Sequence, residues 1–199
     1  MDAYMHAKLS MKRWGGTVDD YYRLHQLVDS TKELCSDNRH RILHTLWGVR
    51  RVILPIFGPT LTNSDGRAVL VKAICEQDHI LPDYQNRFIP TLNDFVQAVE
   101  VEPAGAWREQ IEACHQQYAD NEPLRELLLS PLAQTGQLKS LLLTHNSWFL
   151  NEIAPKVVAH IPQLINFALA PSFFFERMRF ELWMDNGTAV APSARRIVT

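Results

Sequence analysis

Apolar residues recur at intervals of three and four along the first half of the chain. Tyr21, Leu24, His25 and Val28 form one such stripe, and Ile42, Leu46, Val49 and Ile53 form a second. That period places each set on one face of a helix, so the core must be built from packed helices rather than a large sheet. Thr17 followed by Asp20 reads as an N-cap with an acidic first turn, opening a helix of about 17 residues. A second helix is expected from Asp37 or Asn38 towards Pro55, and a third over 72–80, stopped by Pro82. Thr91 with Asp94 starts another. Between them, Asn63, Ser64, Asp65 and Gly66 supply turn chemistry in TLTNSDGRAVLV, which predicts a short β-hairpin over 60–71.

Pro103 and Gly105 interrupt this pattern, and helices are expected again over 107–118, 123–130 and 137–153. Asp185-Asn186-Gly187 predicts a closing hairpin over 179–191. The expected fold is mainly α, a bundle-like packing of two helical regions, 1–100 and 101–199, with one or two small hairpins. A short echo links the regions. Residues 42–55 read ILHTLWGVRRVILP and 142–155 read LLTHNSWFLNEIAP, each with a leucine, a histidine, a tryptophan three residues later and a closing proline. This spacing is that of a candidate duplication, not of a solenoid.

Composition narrows the class. The 199 residues are 46% hydrophobic and 21% charged, which excludes a disordered or collagenous chain. A net charge of -2 argues against a broad nucleic-acid surface, so nucleic acid is not an expected partner. Cys35, Cys75 and Cys114 form no CxxC pair, which fits a reducing compartment and no disulfide framework. The N-terminal stretch lacks an apolar core of signal-peptide length, so a cytoplasmic location is expected. The uncharged stretch 157–175 approaches membrane-spanning length. It carries His160, Pro162, Gln163, Asn166 and Pro171, which fit a buried core segment better than a lipid-facing helix.

The chemistry concentrates in the first region. His25 and Asp29 are four apart, as are His40 and His44, and Glu76 and His79 form an E-x-x-H pair with Asp83 beyond it. Imidazoles and carboxylates at such spacing let one helical face offer two ligands to Zn, Mn or Fe. His25, His40, His44 and His79 are therefore the candidate ligands of a divalent transition metal, with Asp29 or Asp83 able to orient an imidazole. Glu76 and Asp29 are candidates to handle the proton of a metal-bound water. Arg39 and Arg41 are candidates to hold an anionic substrate, so metal-dependent hydrolysis of a phosphate-containing or nucleotide substrate is the leading expectation. The alternative is a non-catalytic interaction protein, with a protein partner or a second copy of itself, whose polar cluster is a buried hydrogen-bond network.

Other chemistries have less support. No P-loop, dinucleotide-binding or nucleophile-elbow motif is present. Gly15-Gly16 precedes a helix and reads as a turn rather than an anion site. Cys75 reads as a buried inert thiol, and His115, His145 and His160 as structural.

The set WGG…DYYRLHQLVDSTK…RHRILH…TNSDGR…EQDHILPDY…FIPTLNDF, over roughly residues 5–98, resembles a family of short bacterial and phage proteins of unknown function. The resemblance rests on Trp14-Gly15-Gly16, His25 and Asp29, Arg39-His40-Arg41, Asn63 to Arg67, and Glu76-Gln77 with His79. It implies that these residues belong together and supplies no reaction. This chain departs from the pattern at Asp78, an extra residue between Gln77 and His79 that would turn the histidine by about 100° on an α-helix.

Overall fold

The computed structural model describes residues 1–35, 37–100 and 105–159, together with 161, 170 and 178. The expected hairpin over 179–191 and most of the stretch 157–175 lie outside the described residues. The chain is mainly helical and forms two compact units, one running from Met1 to Asp94 and a second beginning at Phe95.

In the first unit, α1 (Ala3–Trp14) and α2 (Val18–Val28) pack as a helical pair. Thr17 caps α2 as its sequence suggests, its N–H donating to Asp20 Oδ2 at 2.6 Å. The stripe of Tyr21, Leu24, His25 and Val28 is buried. The helix is shorter than expected because the chain tightens at Asp29 into a 3-10 turn, Ser30–Glu33. Gly15 and Gly16 both adopt positive φ and turn the chain between the two helices. Their anion comes from within the chain, since Gly16 N–H donates to Asp65 Oδ2 at 2.6 Å.

The second expected helix is two elements. Asn38–Leu43 is a 3-10 segment, the chain breaks at His44 and Thr45, and α3 (46–57) then begins. Thr45 caps it, its Oγ1 accepting from Gly48 N–H at 3.1 Å. Inside α3, Val49–Ile53 is π-helical. The hairpin forms where expected, as β1 (Thr60–Thr62) paired antiparallel with β2 (Ala68–Leu70).

The third helix, α4 (71–83), contains a seven-residue π-helical stretch, Ile74–Ile80. Pro82 does not stop it. In the i to i+5 register of this stretch, where Leu81 N–H donates to the Glu76 carbonyl, the N–H that Pro82 lacks would have served Gln77, and the neighbouring Asp78 carbonyl accepts from His6 Nδ1 at 2.7 Å. A short α5 (Leu92–Val96) follows, opened by Thr91 N–H and hydroxyl on Asp94 Oδ2.

The second unit contains α6 (Ala106–Gln117), α7 (Glu122–Thr135), a 3-10 segment Leu138–Leu143, and α8 (149–157), whose first part, Phe149–Ile153, is again π-helical. The echo is therefore structural as well as sequential. Segments 38–43, 49–53 and 54–57 recur at 138–143, 149–153 and 154–157 with the same backbone types. Among the described residues no helix is long and apolar enough to cross a membrane.

Candidate metal centre

Four elements of the first unit converge on one buried point. α1 brings His6 and Ser10, α2 brings His25 and its C-cap Asp29, the break before α3 brings His44, and α4 brings Asp78, His79 and Asp83. The four histidines are fully buried. One ligand atom each from Asp29, His44, His79 and Asp83 lies within 4.8 Å of the others. The Nε2 atoms of His44 and His79 are 3.0 Å apart, and both lie 3.4 Å from Asp29 Oδ1. His44 Nε2 is also 3.3 Å from Asp83 Oδ2. Four ligands held tetrahedrally at about 2.0–2.1 Å from zinc would stand about 3.3 Å from one another, so these spacings suit a shared cation.

The hydrogen bonds around the centre assign its tautomers. Trp14 Nε1–H donates to Asp78 Oδ2 at 2.7 Å, and Arg13 pairs with Oδ1 at 3.0 Å. Ser10 gives its only hydroxyl proton to the same carboxylate at 2.9 Å. It must therefore accept from His25 Nε2, also 2.9 Å away. Burial lowers His25 to about 3, so the ring is neutral and its Nδ1 is an acceptor. That Nδ1 faces His79 Nδ1 at 2.9 Å, which places the proton of His79 on Nδ1. Burial likewise holds His79 well below the ordinary histidine range, leaving its Nε2 a bare lone pair aimed at His44 and Asp29.

Three acceptors, His79 Nε2, Asp29 Oδ1 and Asp83 Oδ2, then surround His44 Nε2, which has at most one proton to give. A divalent cation satisfies all four atoms together. Burial pushes the Asp29 carboxyl up, and a proton on His44 Nε2 pulls it below the usual aspartate range, whereas the bare Nε2 of His79 offers it no hydrogen bond. At Asp83 burial is likewise outweighed, by His44 and His6. The outer oxygens are neutralised separately, by Lys32 on Asp29 at 2.8 Å and the Met1 amine on Asp83 at 2.9 Å. The inner oxygens, Asp29 Oδ1 and Asp83 Oδ2, are the ones left facing His44, with Asp29 Oδ1 also facing His79.

The expected residues distribute as follows. His44 and His79 meet at the point, with Asp29 beside them as a potential ligand. His25 touches His79 instead and sets its tautomer. His40 donates Nδ1–H to the Asp37 carbonyl at 2.5 Å and lies edge-on to His44, outside the four-atom group. In a 3-10 segment four residues advance about 480°, so His40 and His44 do not share a face. Glu76 pairs with Lys72 at 3.5 Å. Hydrogen bonds from i to i+5 give a π-helix about 4.4 residues per turn, so Glu76 and His79 point roughly 115° apart. Arg39 is tied to Asp37 at 2.6 Å, and Arg41 donates to the Asp83 carbonyl at 3.1 Å and covers the Tyr84 ring.

His6, Ser10 and Asp78 were not among the expected site residues. His6 stacks on His79 with ring centroids 3.8 Å apart and places Nε2 3.3 Å from Asp83 Oδ1. The one signal for them was the four-residue interval from His6 to Ser10, which α1 turns into a shared face. His44 lacks such support, because its Nδ1 is buried without a hydrogen-bond partner among the described residues.

The family model "Domain of unknown function (DUF6915)" matches residues 1–105, so the chain belongs to this family and the whole centre lies within the matched region. No curated protein and no solved structure matches the chain.

Proposed function

We propose that the first unit is a metal-binding domain that holds one divalent transition metal through Asp29, His44, His79 and Asp83, and that the metal's role is to fix the fold. The observation that carries this reading is the Nδ1–Nδ1 contact of His25 and His79 at 2.9 Å, which, with Ser10 donating to Asp78, assigns a bare Nε2 to His79 on the side of Asp29. Two imidazoles and two carboxylates form a borderline donor set suited to Zn, Fe or Mn. The hydrogen-bonded chain behind His79 is the outer support that metal-bound histidines commonly have.

The depth of the site favours a structural over a catalytic metal. His44 and His79 are 0% exposed, and the side chains of Asp29 and Asp83 are 8% and 2% exposed. Hydrolysis needs an open coordination position that water and substrate can reach. Glu76 lies outside the group, and Arg39 and Arg41 are engaged within the unit, which leaves phosphate-ester or nucleotide hydrolysis the weaker reading.

Metal analysis of protein purified without an affinity tag tests this directly. About one equivalent of Zn, Fe or Mn per chain is expected, lost in His79→Ala. Less than about a tenth of an equivalent, with melting unchanged on adding any of the three, refutes metal binding. Turnover of a phosphate ester or nucleotide by the loaded protein, abolished in His79→Ala, would replace the structural role with the hydrolytic one.

A further inference from the structure

The second unit repeats the backbone succession that delivers His44 in the first. After the 3-10 segment Leu138–Leu143 comes His145, then a π-helical stretch and a proline at 155. His145 is fully buried. Its Nδ1 lies 2.9 Å from the Leu141 carbonyl, which can only accept, so Nδ1 carries the ring proton. Thr144 Oγ1, 3.1 Å from the same nitrogen, gives its own proton to the Leu128 carbonyl at 2.7 Å and so cannot donate to Nδ1. Burial keeps the imidazole neutral, at about 3. The Nε2 of His145 is therefore a lone pair, and it faces His115 Nε2 on α6 at 2.9 Å.

This is the relationship that His44 and His79 have in the first unit, two Nε2 atoms about 3 Å apart with one ring's proton fixed on its far side. In either state His115 Nδ1 is buried with no hydrogen-bond partner among the described residues, as a lone pair when His115 Nε2–H donates to His145 and as an N–H when both Nε2 atoms hold a cation. If both Nε2 lone pairs instead bind a cation, the His115 Nδ1 carries a proton, and His145 keeps its Leu141 bond unchanged.

We propose that His115 and His145 form a second transition-metal site, in the second unit, independent of the first. Two imidazoles select a borderline cation such as Zn²⁺, Ni²⁺ or Cu²⁺. Among the described residues no group of three or more His, Cys, Asp or Glu gathers there, so the two imidazoles are the ligands this site offers. His115 is partly exposed, whereas His145 is fully buried. The site is accordingly weaker and faster to exchange than the four-ligand centre, and its content follows the free metal concentration.

The test is a titration of the full chain, stripped with a chelator, against Zn²⁺ and Cu²⁺, using wild type, His79→Ala and His115→Gln. The glutamine amide can still donate to His145, so this variant keeps the hydrogen bond while removing the imidazole. Wild type is expected to take up two equivalents, and His115→Gln to lose at least tenfold in affinity for the weaker one alone. In His79→Ala, bound Cu²⁺ should still show nitrogen ligation by electron paramagnetic resonance, lost on adding His115→Gln. A weaker equivalent that persists undiminished in His115→Gln overturns the site, as does a His79→Ala chain that binds nothing. Failure of the first-unit centre reads out separately, as loss of the tight equivalent with the His115-dependent one retained.

Discussion

His25 and His79 meet through their Nδ1 atoms at 2.9 Å, and this contact decides which nitrogen of His79 faces the carboxylates. Because Ser10 spends its proton on Asp78, His25 must donate from Nε2 and accept at Nδ1. The metal-facing state of His79 is thus set from the far end of a chain of hydrogen bonds that begins at the half-exposed Arg13. Removing a link should loosen the centre without dismantling it. His25→Ala is expected to weaken metal affinity about 10–100-fold, the range for losing a histidine's outer partner. Competition against a chromophoric chelator measures this, and an unchanged affinity would remove His25 from the positioning role.

Metal and fold should be linked. A metal that binds only the folded state stabilises it by about 2.7 kcal/mol when its free concentration is a hundred times Kd. Thermal melts with and without chelator should show that rise in wild type and none in His79→Ala. Equal melting temperatures in wild type would contradict a fold-stabilising metal.

Acid should destabilise the metal-free protein well above the aspartate range. Burial lowers His25 to about 3 and His40 to about 4 in the folded state, against about 6.5 unfolded. As pH falls below about 6.5 the unfolded chain takes up protons that the folded one refuses, so stability is full above that value and declines below it. Each histidine contributes a loss of about 2 kcal/mol between pH 7 and pH 5. Asp29 and Asp83, held low in the fold, extend the decline below about pH 4. Urea midpoints at pH 7, 6 and 5 should fall in order, and a flat series would show that these rings titrate normally.

Gly48 sits where the 3-10 segment that ends before His44 meets the start of α3. A Cβ there would clash with the Leu43 carbonyl oxygen and lie 2.7 Å from the Leu43 carbonyl carbon and Cα, all backbone atoms that cannot turn aside. Gly48→Ala is expected to cost about 3 kcal/mol by denaturant unfolding and to weaken metal binding by shifting His44.

Asn63 ties the Trp14-Gly15-Gly16 turn to the hairpin. Its Nδ2 donates to the Trp14 carbonyl at 3.2 Å and to Tyr21 Oη at 3.0 Å, while its Oδ1 accepts from the N–H groups of Asp65 and Arg67. Asn63→Ala should lose about 2 kcal/mol of stability, since it strips partners from buried groups at both ends. Because Asn63 lies outside the four-ligand group, metal affinity in the folded fraction should be unchanged, which calorimetry on that variant checks.

The sequence by itself determined the helical class, the hairpin at Asn63 to Gly66, the caps at Thr17 and Thr91, and the neighbourhood of the site, because these depend on residues a few positions apart. It also marked the echo between the two units. Only the tertiary structure decided which atoms meet. Spacings of three and four mean a shared face only on an α-helix, and here the key segments are 3-10 or π-helical. The 3-10 segment leaves His40 edge-on to His44 and outside the four-atom group, and the π-helical turn sends Glu76 outward and His79 inward, absorbing Asp78 on the way. That extra residue, which would misdirect His79 on an α-helix, instead anchors His6 with its carbonyl and the Ser10–His25 chain with its carboxylate. His6 and Ser10 reach it across 72 and 68 positions of sequence. Contacts at such separation are fixed by how α1 packs against α4, and no local pattern of residues encodes that packing.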